Sequence, residues 1–267
     1  VMRALAEAGV PVDAVGGTSM GAALAAQRAM EWDPDRIAAA NRRVFVEIRP
    51  HRRFTVPIFS LVTNQLAVEC GKWLYGESDI EDLWIPFYCV SSNLATAEAY
   101  VHTRGPVWKA TLASASLPAF APPIIEGTHL LVDGGLLDNV PVDAMRDKGC
   151  GVVIASQVTM NEDASFAAER VPTAWEAFSG RVRRRPPLRF PTLLEVAFRS
   201  TMLQSTFRAR QAVADADFCL YPPIDRFGLM DFPMLPEIVQ VGYDHGREVL
   251  AAWAERPRTP AGHVVAE

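Results

Sequence analysis

The chain has 267 residues, of which 31 are acidic and 26 basic, giving a formal net charge of −5, and 49% are hydrophobic. That balance suits a globular protein with a sizeable core and argues against a nucleic-acid binder, which needs a basic surface. No apolar run approaches the roughly 20 residues of a membrane helix and no signal peptide opens the chain, so a cytoplasmic location is expected.

Met2 to Ala8 is amphipathic and stops at Gly9, which reads as the end of a helix. Val12 to Val15 then reads as a short strand that turns sharply into a helix over Met20 to Met30. Gly17, Ser19 and Gly21 match G-x-S-x-G, the nucleophile elbow, in which a strained strand-to-helix turn pushes a serine hydroxyl out of the sheet edge. Residues two before and two after the serine are expected to approach so closely that neither tolerates a side chain. The small residues of the following helix let it lie against the sheet. Its N-terminal amides, that of Met20 included, then point at the Ser19 hydroxyl, where negative charge develops in acyl transfer. Taken alone, the segment also suits an ordinary glycine-rich turn.

Asp33 and Pro34 cap a second helix that runs to about Arg49. Pro50 to Leu61 breaks the pattern, with Arg49, His51, Arg52 and Arg53 beside Phe54, Val56, Ile58 and Phe59. Such a loop suits a substrate entrance, a membrane surface, or a solvated loop anchored by a few apolar residues. Asn64 to Tyr75 reads as a helix, Ser78 to Leu83 as a capped turn, Ile85 to Leu94 as a buried strand and Ala99 to Thr103 as its neighbour. Val107 to Ser116 is helical until Pro118, Pro122 and Pro123 forbid its continuation.

Leu130, Leu131 and Val132 form a strand with Asp133 at its C-terminal end, followed by Gly134 and Gly135. In a parallel sheet the C-terminal ends share one edge, which would bring Asp133 to Ser19. A plain turn after a strand is the other reading. Val142 to Lys148 as helix and Gly151 to Val158 as strand continue the order of a doubly wound sheet. Asn161 to Pro191 reads as a polar loop whose arginines, 181, 183, 184, 185 and 189, suit anionic lipid heads or a solvated linker. A helix over Thr192 to Ala214, a strand over Asp217 to Tyr221 and a helix over Pro236 to Trp253 complete one domain over 1–255, and 256–267 is expected to be a disordered tail. Cys70, Cys89, Cys150 and Cys219 are widely spaced with no C-x-x-C pair, so buried free thiols are expected.

A serine on an elbow and an aspartate after a later strand are the parts of a nucleophile and its base. A Ser-His-Asp triad in the α/β-hydrolase order would need His245 or His263, and neither stands in a convincing place. A catalytically silent lipid- or partner-binding module is the remaining alternative.

The combination of Gly17-Thr18-Ser19-Met20-Gly21 with Asp133-Gly134-Gly135 resembles the patatin-like phospholipases. Ala113-Ser114-Ala115-Ser116-Leu117-Pro118 and Asp138-Asn139-Val140-Pro141 are similar to the same family, and Ile80 to Pro86, His102 to Gly105 and Tyr221 to Ile224 resemble its neuropathy target esterase branch. The resemblance implies a three-layer α/β/α fold with a mostly parallel central sheet, and a Ser19–Asp133 dyad without histidine. It further implies hydrolysis of phospholipid or lysophospholipid esters, peripheral contact with a membrane, no metal or cofactor, and an upstream regulatory domain in the whole protein. A carboxylate with a pKa of about 3.9 is a weak base for a hydroxyl, so such a dyad depends on a dry site and strong oxyanion stabilisation. The family's G-G-G-x-R/K-G oxyanion loop does not occur in this sequence. The chain is therefore expected to be an N-terminally truncated part of a longer protein and weakly active by itself.

Overall fold

The computed structural model describes residues 1–158, 173, 193–228 and 230–254. Helix α1 (Met2–Glu7) ends where Gly9 takes a positive φ of 65°, and the chain enters strand β1 (Val15–Thr18). Helix α2 (Met20–Ala29) follows directly and buries Ala22, Ala25, Ala26 and Ala29, the small face that lets it lie close to the sheet. Asp33 caps α3 (Pro34–Arg42) by accepting from the amides of Asp35 and Arg36, each at 2.9 Å. The helix then widens into a π turn over Arg43–Ile48 and stops at Arg49, whose φ is 58°. The expected helix to Arg49 is thus continuous in space, with its last turns loosened.

Helix α4 (Gln65–Tyr75) leads through a 3₁₀ turn at Ile80–Asp82 to β2 (Phe87–Asn93), every residue of which is buried. Strand β3 (Glu98–His102), α5 (Val107–Ser114), β4 (Ile124–Glu126) and β5 (His129–Asp133) follow in order, then α6 (Val142–Arg146) and β6 (Ile154–Ser156). Helix α7 (Leu193–Asp215), β7 (Phe218–Leu220) and α8 (Leu235–Ala254) complete the described chain.

The α/β reading stands, but the sheet is not mostly parallel. In the five-stranded sheet β1 and β2 are parallel, whereas β3 and β5 both run antiparallel to β2, and β4 antiparallel to β5. Strands β6 and β7 pair in parallel as a second sheet, which among the described residues does not join the first. The tight connection from β4 to β5 at Gly127, with φ of 58°, permits only an antiparallel return, because a parallel one needs a crossover of a dozen residues or more.

The core lies where α2, α3, α4 and α5 cover β1 and β2, with Ala22, Ala26, Tyr75, Phe87, Cys89 and Val107 among its buried residues. A second cluster, Val140, Val142, Val153, Ala155, Ala209 and Ala212, seals β6 against α6 and α7. Helix α1 docks on α8, where the Val1 backbone nitrogen donates to the Gly242 carbonyl at 3.0 Å and Tyr243 donates to Glu7 at 2.7 Å. All four cysteines are free; Cys70 and Cys89 are buried, while Cys150 and Cys219 are partly buried at the edge of the second cluster. The arginine-rich run and the expected tail lie outside the described residues.

Candidate active site

Ser19 sits between β1 and α2 with φ of 55° and ψ of −121°, a left-handed backbone that a residue with a Cβ adopts at a cost of about 1–3 kcal/mol. The bend is so tight that a Cβ on Gly17 would lie 2.6 Å from the Gly21 carbonyl carbon. A Cβ on Gly21 would meet nothing within 4 Å, so the close approach demands glycine before the serine and not after it. Met20, the first residue of α2, is 38% exposed and directly follows the serine, so the positive end of the helix stands beside the hydroxyl.

Ser114, fully buried at the end of α5, supports the strained turn. Its hydroxyl accepts the Ser19 N–H at 2.9 Å and donates to the Val90 carbonyl of β2 at 2.6 Å. One side chain thereby satisfies an amide and a carbonyl that the bend leaves without a ladder partner. The Thr18 hydroxyl donates to the Asp138 carbonyl at 2.8 Å, tying the elbow to the segment after β5.

Asp133 reaches Ser19 by a route different from the expected one. Strand β1 occupies one edge of β2 as far as Val90, opposite Thr18, and β5 occupies Ser91 to Asn93, with Asp133 opposite Ser91. Strand β3 pairs with Cys89 to Asn93 and so takes the other edge of β2. The two strands therefore abut head to head on a single edge, β1 arriving from one direction and β5 from the other. Ser19 and Asp133 are the residues at the junction. Gly134 lies in the same crevice, where a Cβ would stand 2.1 Å from the Val90 carbonyl oxygen.

At the junction the Ser19 hydroxyl donates to Asp133 Oδ2 at 2.7 Å, and Asp133 Oδ1 accepts the Gly135 amide at 2.7 Å. The aspartate is only 2% exposed. Burial pushes its pKa up to about 6, against the opposing pull of the Ser19 hydroxyl and the Gly135 amide, which favour the carboxylate. The result is a carboxylate of unusual basicity, still ionised at neutral pH and aimed at a hydroxyl.

Among the described residues no histidine is hydrogen-bonded to Ser19 or Asp133, although His51 lines the same groove. His245 Nε2 accepts the Tyr221 amide at 3.1 Å, His102 bonds the Ser91 hydroxyl at 2.8 Å, His129 bonds Asn93 at 2.8 Å, and His51 packs on the Phe232 ring. His263 lies outside the described residues. Ser19, Asp133, Val62, Leu117 and Phe120 are among the residues lining a large open groove whose wall is mostly apolar. In the sequence Ser114 stands out only within Ala113-Ser114-Ala115-Ser116-Leu117-Pro118; its bridging role depends on how α5 crosses β2, and no local signal announces that.

Comparison with known proteins follows the same line. The Patatin family, described as patatin-like phospholipase, matches residues 1–146. The chain is 33% identical over 270 residues to "Lysophospholipase NTE1" of Phaeosphaeria nodorum, covering 97% of this chain and 18% of that protein. It is 33% identical over 265 residues to "Patatin-like phospholipase domain-containing protein 7" of Mus musculus, and 31% identical over 264 residues to "Patatin-like phospholipase domain-containing protein 6" of Homo sapiens, each covering 95% of this chain and 19% of the other. The chain thus spans about a fifth of the length of these relatives.

Proposed function

This chain belongs to the patatin-like phospholipase family, and from that membership and the geometry of its site we propose that it is a serine acyl hydrolase acting on phospholipid or lysophospholipid esters. The observation that carries the reading is the 2.7 Å hydrogen bond from Ser19 to a buried, basic Asp133. Ser19 Oγ attacks the ester carbonyl carbon while its proton passes to Asp133 Oδ2, and the carbonyl π electrons move onto oxygen. The oxyanion collapses, the acyl C–O bond breaks, and the leaving alkoxide takes the proton back from Asp133. Water then repeats the sequence on the acyl-Ser19 ester, with Asp133 again as base, and releases the fatty acid.

The amide of Met20 and the N-terminus of α2 supply oxyanion stabilisation. The name of the fungal relative favours a single-chain substrate, and lysophosphatidylcholine is the natural probe.

The test is covalent labelling by a fluorophosphonate together with release of fatty acid from lysophosphatidylcholine. Both are expected, and both should vanish in Ser19→Ala and persist in His245→Ala. Labelling that survives Ser19→Ala would show the proposal to be wrong.

A further inference from the structure

The segment between the π turn and α4 folds into a short hairpin that projects from the body. Phe54 bridges to Val62 in antiparallel pairing, Thr55 donates to the Leu61 carbonyl at 3.0 Å, and Thr63 donates to that of Arg53 at 3.0 Å. Its return arm is stitched to the wall of the groove, since Leu61 donates to the Ala119 carbonyl at 2.9 Å and Val62 to that of Phe120 at 3.0 Å. Val62 and Phe120 both line the groove that holds Ser19 and Asp133. The hairpin is therefore anchored at the groove's rim.

The tip has the wrong chemistry for water. Phe54 is 71% exposed, Val56 72%, Ile58 74% and Phe59 83%, four large apolar side chains within six residues. Isolated exposed apolar residues need no explanation, but a contiguous cluster on a projection does. The backbone at the tip is also sparing of free donors: Pro57 has no N–H, and Ile58 donates to the Val56 carbonyl at 2.8 Å.

The base of the hairpin carries the opposite character. Arg49, Arg52 and Arg53 are exposed, no acidic residue occurs from 49 to 63, and among the described residues none of the three arginines pairs with a carboxylate. On a chain whose net charge is −5 this is a local concentration of positive charge directly behind an apolar point. An apolar tip backed by a basic collar matches an anionic bilayer, with acyl chains at the depth of the phenylalanines and phosphates at the level of the guanidinium groups.

We infer that the hairpin from Arg53 to Val62 inserts into anionic phospholipid membranes and seats the mouth of the Ser19 groove at the lipid surface. The inference rests on the reading of the groove as a phospholipid site, but it is tested without catalysis. Ser19→Ala protein is mixed with vesicles of phosphatidylcholine alone or with added phosphatidylserine, and bound protein is measured by flotation. The protein is expected to float with the mixed vesicles and to be released by salt. Phe54→Ser with Phe59→Ser, both largely exposed positions, should weaken binding by roughly tenfold or more. Arg52→Glu and Arg53→Glu should each lower affinity for the mixed vesicles by about fivefold and leave that for neutral ones nearly the same.

Equal flotation of the tip variant and its parent would overturn the inference. So would a tip variant that changes only the oligomeric state on gel filtration, since a second copy of the chain would then be the occupant. Hydrolysis of a water-soluble short-chain ester by the unaltered chain reports separately on the Ser19–Asp133 reading, so either can fail while the other stands.

Discussion

Ser19 donates a 2.7 Å hydrogen bond to Asp133 across 114 residues of sequence because β1 and β5 end against each other on one edge of β2. In a wholly parallel sheet the serine and the aspartate would stand on separate strands side by side. Here they face each other along one line, and the backbone that would fill the gap is replaced by the Ser114 hydroxyl. Four consequences can be measured.

Activity should rise with pH through about 6. Asp133 must be a carboxylate to take the serine proton, and burial holds its pKa near that value. Below it the fraction of competent base falls tenfold per pH unit. The check is the pH profile of kcat/KM on a neutral ester; a profile flat from pH 5 to pH 8 would remove Asp133 from the role of base.

Asp133→Asn should abolish hydrolysis yet stabilise the fold at neutral pH. The native pKa of about 6 lies above the ordinary 3.8, so between these values the folded state holds more protons than the unfolded one. Ionisation of Asp133 therefore costs folding free energy, fully above about pH 6 and not at all below about pH 4. The difference between about 6 and 3.8 corresponds to about 3 kcal/mol. Denaturant unfolding at pH 7.5 should show the Asn variant more stable, with the difference shrinking as pH falls toward 4. A difference that grows on acidification would mean the sign is reversed.

Ser114→Ala should damage the site without touching substrate. It strands the Ser19 amide and the Val90 carbonyl in a dry interior, for a loss of about 2–3 kcal/mol in stability. The elbow then relaxes from its strained backbone, so kcat should fall well over tenfold while KM changes little. A rise in KM with kcat intact would instead place Ser114 in substrate binding.

The two elbow glycines should respond differently to a methyl group. Gly17→Ala drives a Cβ to 2.6 Å from the Gly21 backbone and should unfold or severely destabilise the chain, and Gly134→Ala should do the same against Val90. Gly21→Ala meets open space inside a helix and should be neutral or stabilising by about 0.5–1 kcal/mol. Thermal unfolding of the three variants decides the matter, and equal losses at 17 and 21 would contradict the geometry.

Much of this protein was written in short stretches of its sequence. Apolar runs marked β2 and β5, Asp33-Pro34 marked the start of α3, and Gly17-Thr18-Ser19-Met20-Gly21 marked the strained turn, because each depends on neighbours within a few residues. The pair Ser19 and Asp133 was legible for the same reason, each residue standing at the end of its own recognisable strand. What only the tertiary structure decided is the direction and register of the pairing. A strand's residues show that it is buried but not which neighbour it meets or which way that neighbour runs, since parallel and antiparallel ladders use the same backbone groups. The antiparallel return at Gly127, the abutment on β2, the raised basicity of Asp133 and the bridge through Ser114 all follow from that choice. It is made by contacts between segments far apart in sequence, where no local pattern reaches.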